Sequence, residues 1–304
     1  MNPRAVAIVG PTASGKTGLG MAVAERLGSE IVSADAMQVY RGMEIGTAAP
    51  TPDERAHVPH HFVACMPPDA RMSAGTYQQQ ARPVVHRLNA RGASAVVVGG
   101  SGLYLNALLD GLFDGPAADT KVRAQLEAEA QTAGNAALFA RLERVDPAYA
   151  ATLTSPNDRV RMVRALEVYA LTGQPLSALH AAGRAGAEPI AARWFAIDWP
   201  RDALYARIDA RVAQMVAAGW VDEVRALLDA GYGPQLARLK ALGFREMAAH
   251  VRGEQSLEAA TAATQQHHRR YAKRQLTWFR ADRRITWLAP DEAAAGRVLA
   301  ALEA

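Results

Sequence analysis

Gly10-Pro11-Thr12-Ala13-Ser14-Gly15-Lys16-Thr17 is a complete G-x-x-x-x-G-K-[ST] run, and the chemistry it suits is anion binding. Its glycines let the backbone fold tightly around a phosphate, so that successive N–H groups and the helix N-terminus that follows point at the oxygens. Lys16 adds a point charge, and the Thr17 hydroxyl is placed to hold Mg²⁺, the expected cofactor. Asp35 is the leading acid-base candidate, because Ser33-Ala34-Asp35-Ala36-Met37-Gln38-Val39-Tyr40 sets it at a strand end beside that loop. A carboxylate there can bind a metal-bound water or take a proton from a nucleophile, and a cap or turn aspartate is the competing reading. Arg207 and Arg211 stand at i, i+4 on one helix face, where they could clamp a diphosphate or simply pair with Asp209 and neighbouring acids.

Other polar residues suggest less. His60-His61 and His267-His268 are adjacent pairs without thiol partners, so no zinc site is expected. Asp198 reads as a strand terminator and cap. Residues 269–284 hold seven Lys or Arg and one Asp, a local charge of +6 against a chain total of +4. So concentrated a stripe points to a polyanionic partner, and Tyr271, Trp278 and Phe279 interleaved with it suit base stacking. An amphipathic helix with aromatics inward and arginines in water explains the same pattern, and Tyr271 and Trp278 do share a face.

The elements that must position these groups are those of a mostly parallel α/β sheet. Apolar runs at Ala5 to Val9, Glu30 to Ala34, Ala93 to Val98, Trp194 to Asp198 and Ile285 to Leu288 read as strands separated by helical patterns. The helices are expected at Thr17 to Leu27, Ala203 to Ala218, Val221 to Ala230, Leu236 to His250 and about Ser256 to Arg280. Three strands end at the phosphate loop, at Asp35 and at Gly99-Gly100-Ser101-Gly102; ligands of open parallel sheets bind beyond those carboxyl ends, so one crevice should collect all three. Residues 115–189 have a different texture, without strand-like runs and with helix starts at Asp119-Thr120 and Ser155-Pro156-Asn157-Asp158. They read as a helical domain inserted into a core of residues 1–114 and 190–304. With 50% hydrophobic and 21% charged residues disorder is not expected, and the single cysteine, Cys65, excludes a disulfide framework. No run approaches a membrane span and the loop begins too early for a cleavable signal to precede it, so a cytoplasmic protein is expected.

Taken together, the motifs resemble the bacterial tRNA dimethylallyltransferases of the IPP transferase family. The matching runs are Gly10 to Thr17, Asp35 to Tyr40, Ile45-Gly46-Thr47-Ala48, Pro59-His60-His61, Gly99 to Tyr104, Asp146-Pro147, Pro156-Asn157-Asp158, Arg164 to Tyr169 and Tyr271 to Arg280. The family usually has Ser where this chain has Ala36 and Thr where it has Ser101, and the cysteine-histidine finger of eukaryotic relatives is missing. The resemblance implies a P-loop NTPase-like core with an all-helical insertion. It also implies transfer of a dimethylallyl group from dimethylallyl diphosphate to N6 of the adenosine immediately 3′ of the anticodon in tRNA. On that reading Gly10, Pro11, Thr12, Ala13, Ser14, Gly15, Lys16 and Thr17 hold the diphosphate, Thr17 carries the metal, Arg211 grips the leaving group and Asp35 is the base. Carried-over tRNA contacts are Asp35, Ala36, Met37, Gln38, Ser101, Arg123, Arg159, Val160, Arg161, Met162, Val163, Lys240, Ala241, Leu242, Gly243, Phe244 and Arg245. The insertion, with basic Arg159, Arg161 and Arg164, is expected to close over the anticodon stem, and the enzyme is expected to be a monomer. Rival functions are a P-loop small-molecule or nucleotide kinase, a prenyltransferase acting on free adenine nucleotide, and an RNA-stimulated NTPase.

Overall fold

A computed structural model describes residues 4–113, 115–182, 188–239 and 241–303. The chain divides into two compact units, one made of Met1–Asp110 and Pro189–Ala304, the other of Gly111–Glu188.

The first unit is built on six parallel strands: β1 (Ala5–Val9), β2 (Ile31–Ala34), β3 (His60–His61), β4 (Ala95–Gly99), β5 (Ala192–Ile197) and β6 (Ile285–Leu288), in the order β3-β2-β4-β1-β5-β6. The five strands expected from sequence are present, β1 and β6 with the expected bounds and the other three displaced by a residue or two at their ends. The sixth, β3, pairs His60 and His61 with Ile31 and Val32 at the sheet edge; two residues carry no alternation by which a strand could be recognised. β1, β2 and β4 are buried throughout, as the inner strands of a sheet covered on both faces must be. Tyr77, Val85, Leu105 and Phe279 pack on one face with Ala7 and Val97; Leu19, Val23, Phe195 and Val298 pack on the other with Ile8 and Val96.

Register decides where the site lies. Val9 and Ala34 are both level with Gly99, so the chain leaves β1, β2 and β4 at one height, at Gly10, Asp35 and Gly100. From β1 the sheet continues to β4 on one side and β5 on the other, which opens a crevice at that edge. A third cluster, with Val39, Met43, Val212, Trp220, Phe244 and Met247 at its centre, fixes the Arg201–Ala217, Trp220–Asp229 and Phe244–Val251 helices to the loop after β2. The single helix expected over Leu236 to His250 is two, Gly233–Leu239 and Phe244–Val251. Gly243 is the N-cap residue of the second at φ 82°, a left-handed conformation that a continuous helix excludes, and a side chain there would collide with Trp220.

The second unit is wholly helical among its described residues, with helices Thr120–Val145, Pro147–Ala150, Arg159–Thr172 and Leu176–Ala181. Asp119 caps the first through its bonds to the amides of Lys121 and Val122, Gly134 kinks it at φ 83°, and Asp158 caps the Arg159–Thr172 helix. Leu138, Leu142, Met162, Leu166 and Val168 form its core. Glu167 is fully buried among them and accepts from Arg123 Nε at 2.8 Å, Arg123 Nη2 at 2.9 Å, Arg164 Nη1 at 2.7 Å and the Asp119 amide at 2.8 Å. Burial alone would raise its pKa, but those donors win and hold the carboxyl below the usual range.

Candidate active site

The phosphate loop follows from three positions with positive φ: Gly10 at 142°, Ala13 at 63° and Gly15 at 89°. Two glycines tolerate this freely; Ala13 is held there because Arg207 Nε donates to its carbonyl at 2.9 Å while its methyl is buried against Leu204 and Ile208. Trp199 stacks under the Arg207 guanidinium at 4.3 Å and donates from Nε1 to the Ser14 carbonyl at 2.9 Å. From the other side, Gln275 accepts the Thr12 amide at 2.9 Å and donates to the Gly100 carbonyl at 2.9 Å. The loop is thus braced by two helices far from it in sequence. Gly15 caps the Lys16–Arg26 helix, and the Ser14 hydroxyl is buried with no hydrogen-bond partner.

Asp35 makes the turn of the competing reading and keeps one carboxylate oxygen out of it. Its Oδ1 accepts from the amides of Met37 at 2.9 Å and Gln38 at 3.3 Å, a turn motif that fixes the carboxylate, while no hydrogen bond to Oδ2 is made among the described residues. Ser101 Oγ accepts the Ala36 amide at 3.0 Å and ties the ends of β2 and β4 together. Gln38 donates to the carbonyls of Thr47 at 3.4 Å and Ala48 at 3.2 Å, which brings the 44–48 loop over the carboxyl edge.

These groups surround one cleft of about 260 Å³, lined by Thr12, Lys16, Thr17, Asp35, Ala36, Met37, Gln38, Gly46, Thr47, Ser101, Arg211, Ala241, Leu242, His268, Tyr271, Arg274 and Gln275. Its polar lining includes Lys16, Thr17 and Arg211. Lys16 Nζ donates to the Pro11 carbonyl at 3.2 Å, and its pKa falls to about 8, first because it is buried and then because Arg211 is near, with Asp35 opposing both. Arg211 donates to the Ala48 carbonyl at 3.3 Å, and burial lowers its pKa too. The i, i+4 arginines therefore have separate tasks: Arg207 braces the loop and Arg211 enters the cleft. Neither pairs with Asp209, whose carboxylate is taken by Arg269. The lining also includes the apolar groups of Ala36, Met37, Ala241 and Leu242, and burial together with Asp35 pushes the Tyr271 hydroxyl up to about 12.

Within the first unit, not every carried-over residue lines this cleft. Ala241 and Leu242 line it; Phe244 is a core side chain in edge contact with Trp220 at 5.5 Å, and the Arg245 side chain is exposed beside Glu246. Lys240 lies outside the described residues. Arg123, Arg159, Val160, Arg161, Met162 and Val163 belong to the helical unit. Within it Met162 and Val163 are buried, so their side chains cannot meet RNA, whereas Val160 is 77% exposed; a helix turns successive residues to different faces. Arg123 is committed to Glu167, Arg159 to Glu127 and Arg161 to Asp158.

Two sequence readings need correction. Asp198 is not a helix cap, since Pro200 holds that position; its carboxylate pairs with Arg280 at 2.8 Å. The basic stripe is not uniformly free either. Arg269 pairs with Asp209, Arg280 with Asp198 and Arg284 with Asp110 and Asp282, leaving Arg270, Lys273, Arg274 and Arg283 without ion pairs among the described residues. The acids that neutralise the stripe come mostly from distant segments, so composition within residues 269–284 could not reveal them. Sequence reasoning also missed Glu223, which accepts the amides of Ile45 at 2.7 Å and Gly46 at 2.9 Å and so anchors the loop over the cleft. In the sequence Arg207 reads as a diphosphate clamp or a partner of Asp209 and His268 as half of a non-chelating pair, and Gln275 stands only within the Tyr271 to Arg280 run; the contacts of Arg207 and Gln275 with the phosphate loop are not foreseen there.

A central β1 ending in a glycine-rich loop, a helix springing from that loop and a carboxylate at the end of β2, which lies beyond β4 in the sheet, define an α/β protein of P-loop-like fold. The IPP transferase family model matches residues 38–282, and the chain belongs to that family. A tRNA dimethylallyltransferase of Geobacter sulfurreducens is 49% identical over 93% of this chain and 91% of its own, and one of Anaeromyxobacter sp. strain K is 48% identical over 97% of each. Among solved structures, the full-length tRNA isopentenylpyrophosphate transferase of Bacillus halodurans is 38% identical with a TM-score of 0.68, over 98% of this chain and 94% of its own. A eukaryotic dimethylallyltransferase acting on tRNA, 24% identical with a TM-score of 0.80 over 95% of this chain and 74% of its own, shares the fold.

Proposed function

We propose that the protein transfers a dimethylallyl group from dimethylallyl diphosphate to N6 of the adenosine 3′-adjacent to the anticodon in tRNA, releasing diphosphate. The observation that carries this is a single cleft lined by the cations Lys16 and Arg211, by the turn-held Asp35 carboxylate and by the apolar groups of Ala36, Met37, Ala241 and Leu242. A phosphoryl acceptor site would not need those apolar groups, whereas a five-carbon chain does. Membership of the family and relatives named for dimethylallyl transfer support the same choice.

In this reaction the diphosphate lies in the loop, where the Lys16 ammonium, the amides at the start of the Lys16–Arg26 helix and Arg211 stabilise charge as the allylic C–O bond breaks. The unpartnered Ser14 hydroxyl supports an anion there, since a buried hydroxyl without a partner is costly until an acceptor arrives. The adenine N6 lone pair is delocalised into the ring and weakly nucleophilic. As the N6–C bond forms, Asp35 takes the departing proton, with Oδ1 held by the turn and Oδ2 free to receive it. The target base is stacked in an anticodon loop and must be extruded to reach such a crevice.

A divalent cation fits this donor set. Among the described residues no three His, Cys, Asp or Glu side chains cluster as a metal cage, while Thr17 lines both the cleft and an adjoining recess of water size. The Thr17 hydroxyl, waters and diphosphate oxygens are ligands Mg²⁺ accepts, and the ion would neutralise leaving-group charge. Arg270, Lys273 and Arg274, along the Leu257–Ala281 helix, are the residues best placed in this unit to meet RNA phosphates.

The test is to incubate the protein and Mg²⁺ with radiolabelled dimethylallyl diphosphate and unmodified tRNA, offering AMP and ATP as rival acceptors. Label in tRNA alone supports the proposal. Label in AMP or ATP, or no consumption of the donor, overturns it.

A further inference from the structure

His268 has no part in the chemistry described so far, yet it is built into the same cleft. It is 8% exposed and lines the cavity beside Arg211. The helices that carry the two residues are pinned to each other at Asp209, whose carbonyl accepts from Gln265 at 3.1 Å and whose carboxylate pairs with Arg269. Nε2 of His268 is buried with no hydrogen-bond partner. In a neutral imidazole one nitrogen donates and the other accepts, and with the proton on Nδ1 it is Nε2 that presents a bare lone pair. Burial and the neighbouring Arg211 charge lower the ring's pKa to about 4, which keeps it neutral at ordinary pH.

Arg211 has the complementary deficiency. Its guanidinium carries five N–H donors, and among the described residues its one hydrogen bond is the long one, 3.3 Å, to Ala48. A buried guanidinium so lightly held is free to turn. To grip a leaving diphosphate it must present a fixed pair of N–H groups, and its back edge then needs an acceptor that brings no negative charge to compete with the diphosphate. A neutral imidazole nitrogen meets that requirement, whereas a carboxylate would not.

We propose that His268 is a positioning residue for Arg211: with diphosphate in the cleft, the Nε2 lone pair accepts an N–H of the guanidinium and directs the remaining donors at the leaving group. This rests on the reading of the cleft as a diphosphate site. It assigns a task to a histidine that the sequence presents only as half of a non-chelating pair.

The test uses inorganic diphosphate with Mg²⁺ as the ligand and needs neither tRNA nor prenyl transfer. Affinity is measured by calorimetry for wild type, His268→Phe, His268→Gln, Arg211→Ala and the His268→Phe/Arg211→Ala double variant. A hydrogen bond to a charged group sets the expected loss at about tenfold in His268→Phe, which keeps the ring but not the acceptor. His268→Gln, whose amide oxygen can accept, should stay within about threefold of wild type, and His268→Phe should add nothing once Arg211 is gone. If the larger ring impairs folding, as judged by circular dichroism, His268→Ala takes the place of the Phe variant and His268→Asn that of the Gln variant. Unchanged affinity in His268→Phe, equal losses in Phe and Gln variants, or additive losses in the double variant would each overturn the proposal. Diphosphate binding coupled through His268 without prenyl transfer to tRNA would instead sink the proposed function and leave this inference standing.

Discussion

Gln275 Oε1 accepts the backbone amide of Thr12 at 2.9 Å, joining the phosphate loop near one end of the chain to the long Leu257–Ala281 helix near the other. The same side chain donates to Gly100, so a single amide fixes the two glycine-rich segments that frame the cleft. Gln275→Leu leaves a buried carbonyl and a loop amide without partners. It should cost about 2 to 3 kcal/mol in unfolding free energy and weaken inorganic diphosphate binding severalfold. Gln275→Glu keeps the acceptor for Thr12 but sets a carboxylate beside the anion, so it should bind diphosphate less well than the Leu variant. Calorimetry orders the three proteins; wild-type affinity in both variants would show that the loop holds its shape without this bond.

Asp35→Asn separates turn from base. The Asn side-chain oxygen still accepts from Met37 and Gln38, so the loop after β2 is preserved and tRNA binding should stay within a few-fold. Loss of proton acceptance should lower the single-turnover rate by roughly 10² or more. Asp35→Ala should lose the turn as well and bind tRNA less well. Rapid-quench kinetics at saturating donor measure the step, and near-wild-type chemistry in Asp35→Asn would remove it as the base.

Lys16 makes donor binding sensitive to pH. With its pKa lowered to about 8 by burial and by Arg211, the ammonium is about half deprotonated at pH 8 in the free protein. A bound diphosphate favours the charged form and draws the pKa back up. Binding at pH 8 should therefore take up about half a proton, and affinity should fall as pH rises through 8. Calorimetry in buffers of differing ionisation enthalpy counts that proton, and Lys16→Arg should abolish the uptake.

Salt dependence distinguishes arginines that touch RNA from those that hold the fold. Arg270→Ala, Lys273→Ala and Arg274→Ala should each reduce the slope of log affinity for tRNA against log salt, by about 0.7 to 0.9 for every phosphate no longer neutralised. Arg280, paired with Asp198 and lying over Trp287 at 4.9 Å, should leave the slope unchanged when replaced by Ala. Filter binding across a salt series checks both, and a change confined to Arg280 would reverse the assignment.

The helical unit should be acid-sensitive through Glu167. A carboxyl whose folded pKa is depressed below its unfolded value, near 4.5, contributes stability that is present above that value and lost as pH falls through the folded one. Glu167→Gln leaves Arg123 and Arg164 without their counter-charge. It should cost about 3 kcal/mol at pH 7, with the difference from wild type shrinking below about pH 4. Urea denaturation at neutral pH and in mild acid measures it; a cost that does not change between the two would show that packing, not charge, is responsible.

The sequence by itself determined whatever depends on neighbours along the chain. The phosphate loop, its helix, Asp35 at the end of β2 and the caps at Asp119 and Asp158 are legible because each is made by backbone and side chains within a few residues. The parallel core followed from runs of buried apolar residues, and the two-residue β3 did not, being too short to show a period. Tertiary structure decided which side chains serve that loop. Gln275, Arg207 and Trp199 reach it from elements whose local pattern says only helix or strand end, and Glu223 reaches the 44–48 loop in the same way. It also decided which charges are free, since Asp110, Asp198 and Asp209 neutralise part of a stripe that reads as uniformly basic. Local bonds are written in spacing; a bond between segments far apart in the chain exists only once the sheet register and the helix packing have brought its two ends together.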